Sequence, residues 1–173
     1  MGAQEADPSG WQLGARAGVL WVDEDLARAA DAQWLGLAGA RLIYRIGPQV
    51  ALGADFWGGR FPSDSAAADA LLWGAGPHLV LTPLADRAWA ADPVLDFGLE
   101  AIRLDDGEDR TAAFVFGAGL RRRWGSRWSV EGLVRNRFLS VEEEPVEDVA
   151  TGRDANLWEI ALELDFAPGG HGR

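Results

Sequence analysis

Apolar residues fall at every second position through about eight stretches of this chain, and many of those stretches carry an aromatic residue at one end. The clearest runs from Trp11 to Trp21. Its odd positions read Trp, Leu, Ala, Ala, Val, Trp, and its even positions Gln, Gly, Arg, Gly, Leu. Successive side chains of a strand point to opposite faces, so this segment presents one apolar band bracketed by two indoles and one face of glycine and charge. The period of two and the frequent glycines argue against helices. A band of that kind suits a lipid bilayer, with an aromatic belt at each interface.

Composition narrows the choice. A chain of 173 residues makes one domain or one closed barrel. Its mean hydropathy of -0.08 resembles that of a soluble protein, and no run approaches the roughly 18 to 20 apolar residues of a spanning helix. Membrane barrels escape that test because alternation dilutes their apolar residues twofold. Cysteine is absent, which excludes disulfides and thiolate metal sites. The net charge of -11, from 27 acids against 16 arginines, excludes a nucleic-acid surface. The opening residues, Met1 to Gly10, are polar and read as a mature N-terminus carrying a start codon, which leaves open an export signal that was removed or one that was never there.

The alternation predicts strands at Trp11–Trp21, Trp34–Ile46, Gln49–Trp57, Ala70–Leu81, Trp89–Ile102, Ala112–Trp124, Trp128–Phe138 and Asn156–Phe166. Pro77 and Pro93 each remove a ladder donor, yet parity survives on both sides of each. Residues 1–10 are then a flexible segment, 11–166 the barrel and 167–173 a tail. Short turns are expected near Gly47–Gln49, Thr82–Ala88 and Gly125–Arg127, and longer loops at Asp23–Gln33, Gly58–Asp69, Arg103–Thr111 and Val141–Ala155. Those four loops hold 16 acids against five arginines, so the whole net charge sits on one rim.

Short turns on one side and long loops on the other, with both termini on the short side, is the layout of outer-membrane barrels. With eight strands, residues 11–166 resemble the small outer-membrane barrels of the OmpA, OmpX and OmpW type. The most specific element is the last strand, with Trp158, Ile160, Leu162, Leu164 and Phe166 at alternate positions. It is similar to the C-terminal signal read by barrel-assembly machinery, although family members made only of the barrel usually stop at that aromatic. The resemblance implies an all-β, eight-stranded antiparallel up-and-down transmembrane barrel in the bacterial outer membrane. It also implies contact with outer-membrane lipid and lipopolysaccharide, and a monomer.

Alternation alone leaves open which face is inside, because a soluble lipocalin-like barrel would turn the apolar face inward around a ligand. Three features favour lipid outside: aromatics at strand ends, a polar face mixing glycine with charges of both signs, and an apolar face short of charge apart from Arg122. The expected girdle is Trp11, Trp21, Trp34, Tyr44, Trp73, Trp89, Trp124, Trp128, Trp158 and Phe166. The expected lumenal ion network is Arg16, Arg41, Asp55, His78, Asp92, Asp96, Glu100, Arg121, Arg123, Glu131, Arg135, Glu159 and Glu163. Matching Tyr44 with Leu52 sets Arg41 opposite Asp55, matching Trp124 with Trp128 sets Arg121 opposite Glu131, and matching Trp158 with Trp21 sets Arg16 opposite Glu163. A wide turn between the fourth and fifth strands puts His78 near Asp92. Such charges need partners, since an unpaired buried ion is very costly, and an eight-stranded lumen is just wide enough to be filled by side chains.

His78 is the one histidine within the expected strands. Barrel enzymes that modify lipid A resemble this chain in architecture and rely on a histidine working with a serine or acid. Here no serine stands two residues on, that position being Val80, so no enzyme is expected. The loop residues Asp105, Asp106, Glu108 and Asp109 offer hard oxygen ligands around Gly107 without the spacing of a calcium loop. Divalent ions bridging this rim to lipopolysaccharide phosphates are a plausible use of it. No cofactor is implied. Three readings stand: a structural or surface-interaction barrel with a plugged lumen, a narrow conduit for ions or small apolar molecules, and a soluble ligand-binding barrel.

Overall fold

The computed structural model describes residues 10–22, 34–60, 71–85, 90–104, 110–124, 127–142 and 152–168. They form eight strands: β1 (Gly10–Val22), β2 (Trp34–Arg45), β3 (Val50–Arg60), β4 (Leu71–Leu81), β5 (Asp92–Leu104), β6 (Arg110–Trp124), β7 (Trp128–Glu142) and β8 (Gly152–Phe166). Each pairs antiparallel with the next, and β8 closes on β1. The expected strands thus all form, several of them longer at the end away from the termini. β5 starts later than expected, at Asp92, so the β4–β5 connection is longer than a short turn. The β5–β6 connection, by contrast, is only residues 105–109. Connection length is therefore less cleanly segregated than the sequence suggests.

The register fixes the shape. Partners followed from Trp11 through Tyr44, Leu52, Leu79, Phe97, Phe116, Asn136 and Trp158 return to β1 at Trp21, ten residues further along the strand. A stagger of that size over eight strands tilts them by about 40° from the barrel axis. Trp11 and Trp21 then lie about 25 Å apart along the axis, the height of the apolar band of a membrane barrel. Several other aromatics fall into the same two rings, while Phe97 packs on Phe116 at 5.4 Å midway between them. Trp11 packs on Tyr44 with centroids 5.0 Å apart and Trp128 on Phe166 at 4.6 Å, both at the inner ring. Trp21 stacks on Trp34 at 5.9 Å at the outer ring, which Trp73 and Trp158 join. Trp89 lies outside the described residues.

Burial is inverted relative to a water-soluble protein. Leu99, Ile160 and Leu162 are more than 60% exposed, whereas Asp96, Glu131, Arg135 and Arg137 are 0% exposed. Among the described residues, twenty-four large apolar side chains are exposed around the barrel, far beyond the few hundred Å² of apolar patch that a soluble monomer tolerates. The apolar face is outside on every strand, which excludes the lipocalin-like arrangement.

Inward glycines make room for the large lumenal side chains. A Cβ on Gly98 would lie 2.6 Å from the His78 ring, and one on Gly74 2.7 Å from the Trp57 indole. A Cβ on Gly117 would lie 2.7 Å from Cγ of Arg135.

Candidate functional site

The inward face holds three layers. At the outer end, Leu20, Leu35, Leu37, Leu72, Ile102, Ala113, Leu139 and Leu157 pack with Trp57 into an apolar cluster. Toward the inner end, Ile43, Ala51, Val80 and Val94 form a second cluster, and across from them Arg121 donates to Glu131 at 2.6 Å and Ser129 to Asp165 at 3.1 Å. Between the two lies a charged layer with almost no contact with solvent.

Three arginines hold this middle layer together. Arg135 reaches Asp96 at 2.5 Å and Asp55 at 3.2 Å. Arg41 reaches Asp96 and Glu163, both at 2.9 Å. Arg16 reaches Asp55 at 2.6 Å and Glu159 at 3.3 Å. His78 places Nδ1 2.8 Å from Asp96 and Nε2 3.1 Å from Glu100. Carboxylates only accept, so the state that satisfies both contacts has a proton on each ring nitrogen. Above this, Arg137 donates to Glu100 at 2.7 Å, pairs with Glu159 at 2.6 Å and lies over the Trp57 ring at 4.4 Å. The Trp57 indole N–H donates to Glu100 at 2.8 Å.

All three expected registers form: Arg41 stands opposite Asp55, Arg121 opposite Glu131 and Arg16 opposite Glu163. Only Arg121 and Glu131 use each other as their closest partner. Strand tilt is the reason, since ladder partners on a strongly tilted sheet differ in height by about 3 Å and long side chains bridge instead to groups at their own level. The placing of His78 near Asp92 is corrected. His78 stands opposite Gly98, which brings Asp96 and Glu100 on either side of it. Asp92 sits lower, at the inner mouth, where it pairs with the half-exposed Arg123 at 3.2 Å. Those two residues lie outside the central network.

Arg137 and Asp165 share lumenal parity and belong with the network, although they are absent from the candidate set. Trp57 is the larger omission. Its odd number puts it on the face of Ala51, Gly53 and Asp55, and that parity was the available signal. Aromatic residues at strand ends otherwise read as girdle.

Asp55, His78 and Glu100 offer one ligand atom each within 4.8 Å of one another. Arg16, Arg135 and Arg137 already neutralise these carboxylates, so a divalent ion would have to displace guanidiniums. The loop residues Asp105, Asp106, Glu108 and Asp109 lie outside the described residues.

No protein-family model matches the chain, and no characterised protein aligns with it by sequence. Solved structures do superpose. Neisserial surface protein A matches with a TM-score of 0.62 at 13% identity, over 92% of this chain and 97% of the other. The outer membrane protein OprG of Pseudomonas aeruginosa gives 0.55 at 10% identity, over 96% and 100%. The N-terminal barrel domain of OprF from the same organism gives 0.52 at 14% identity, over 90% and 96%. With a closed barrel, an apolar exterior and a charged interior already established, the chain has the fold of the small eight-stranded outer-membrane barrels.

Proposed function

We propose that this protein is a bacterial outer-membrane barrel with a sealed lumen, serving as a structural element of the envelope or a platform for surface contacts. One observation carries the reading. The lumenal ions are buried in mutual contact beneath an outer apolar cluster, with a smaller apolar cluster facing the Arg121–Glu131 pair at the inner end, so an ion crossing the barrel would have to break several low-dielectric pairs and pass the dry outer layer. Function then falls to the exterior. The acidic outer connections would face lipopolysaccharide phosphates through divalent cations, and the Phe166 strand would serve recognition by the assembly machinery. Neither ring nitrogen of His78 is free to activate a nucleophile, because both face carboxylates, and this favours a barrel without enzymatic activity.

Two measurements test the reading. The protein is expected to gain β-structure only with detergent or lipid, and to migrate differently on gels before and after boiling. A well-folded monomer in plain buffer overturns the membrane assignment. In planar bilayers the folded protein is expected to show no reproducible conductance steps; regular steps favour the conduit.

A further inference from the structure

One hairpin carries exposed positive charge in an otherwise acidic protein. β6 ends in Arg121, Arg122, Arg123 and Trp124, and β7 is entered through Arg127 and Trp128, with no acid from Leu120 to Val130. Arg121 turns inward to Glu131, and Arg123 pairs with Asp92 at the inner mouth, so both are neutralised. Arg122 and Arg127 are exposed, and their side chains make no ion pair or hydrogen bond among the described residues. Parity sets Arg122 on the outward face between Leu120 and Trp124, opposite Val130. Following the tilt, it lies at the level of Trp11, with Trp124 about 5 Å further toward the inner aqueous side. Arg127 is held beside the end of β8, where its backbone carbonyl accepts the Ala167 N–H at 2.8 Å. The headgroup layer of a bilayer extends about 5–8 Å beyond the hydrocarbon edge. An Arg122 side chain running down past Trp124 therefore ends among phosphates.

A groove on the lipid face begins at the same place. It has a volume of about 330 Å³ and is lined by Val130 of β7, Leu162 and Leu164 of β8, and Ala15 and Ala17 of β1, over the ladder pair Arg16 and Glu163. Small outward residues open it: the two alanines, and Gly132 on β7, where a Cβ would meet only Leu162, at 3.8 Å. Val130 is both the ladder partner of Arg122 and the lower end of the groove, which rises about 12 Å from there to Ala17. A phosphate at Arg122 with a hydrocarbon chain rising from it fits that pairing. We infer that the β6–β7 hairpin and this groove form a docking site for an anionic glycerophospholipid of the inner leaflet. Arg122 binds the phosphate, Arg127 adds a second positive charge on its aqueous side, and one acyl chain lies over Ala15 and Ala17. Two cations without carboxylate partners favour a headgroup of net negative charge over one that carries its own ammonium. The inference rests on the membrane reading and deepens it by naming the lipid class that the β6–β1 face selects.

The test competes phosphatidylglycerol against phosphatidylcholine of identical acyl chains for the detergent-folded barrel, read by native mass spectrometry. A preference for phosphatidylglycerol of about fivefold per arginine is expected. Arg122→Gln is expected to lower it about fivefold, and Arg122→Gln with Arg127→Gln to bring the two lipids near parity. Both variants are expected to keep the heat-dependent gel shift, because both positions are exposed. Ala15→Leu with Ala17→Leu fills the groove and is expected to reduce retention of both lipids severalfold, with the headgroup preference unchanged. Equal binding of the two lipids by the wild-type protein overturns the site. So does a preference that survives the double arginine variant, or retention that filling the groove leaves unaltered. Failure of the wild-type protein to fold in micelles overturns the membrane reading and the site together, whereas folding without headgroup preference overturns the site alone.

Discussion

Individual side chains in the lumen stand or fall by their partners. Asp96 receives Arg41, Arg135 and His78 and is wholly buried. Asp96→Asn leaves three cationic groups short of an anion in a low-dielectric site, and a loss of about 3–5 kcal/mol is expected. Urea unfolding in lipid vesicles measures it, and a loss under 1 kcal/mol means the remaining carboxylates close over the gap. Trp57→Phe keeps an aromatic ring beneath Arg137 but removes the donor to Glu100, and about 1.5–3 kcal/mol is expected in the same assay. Parity was enough to put Trp57 on the lumenal face, although the sequence reading left it unassigned. Parity did not show what Trp57 touches, because contact across a barrel depends on height and not on ladder position. His78 illustrates this: its face was evident, yet its partners Asp96 and Glu100 follow from a β4–β5 register that no aromatic pair marked.

Strands are the scale at which the sequence speaks most clearly. Alternation must hold over a whole strand, since a slip of one residue turns every side chain to the other face. The two indoles of β1 therefore mark its span almost to the residue. The strand ends were less legible where strands run beyond the outer ring, as in β7, because past Phe138 the outward parity carries Ser140 and Glu142 and the apolar residues change parity. The lipid face makes a direct prediction. Leu162 lies near mid-membrane on β8 and is 66% exposed, so Leu162→Arg is expected to cost about 2–4 kcal/mol. The same change at Trp158, near the ring, is expected to cost about 1 kcal/mol or less. Equal losses at both positions would argue against a bilayer around β8.

For the whole molecule, closure decides what the strands alone could not. The ten-residue stagger sets tilt and radius together. With them it sets the lumen's width and which charges share a level. A lumen of that width brings Arg135 within reach of carboxylates on β3, β5 and β8 at once. The expected absence of conductance belongs at this scale, since it depends on both apolar clusters and the ion layer together. Truncating Trp57 and Arg137 together to alanine removes the junction between the outer cluster and the ions, and small conductance steps in planar bilayers are expected from that variant.

What the sequence determined by itself was the sorting of residues between two faces, the number of strands and their apolar span, because period two and aromatic ends are local properties that a bilayer reads directly. The partners of each lumenal charge, and the level at which each sits, were decided only by tertiary structure. Both depend on the tilt of a closed sheet, and tilt belongs to the closure of all eight strands rather than to any one of them.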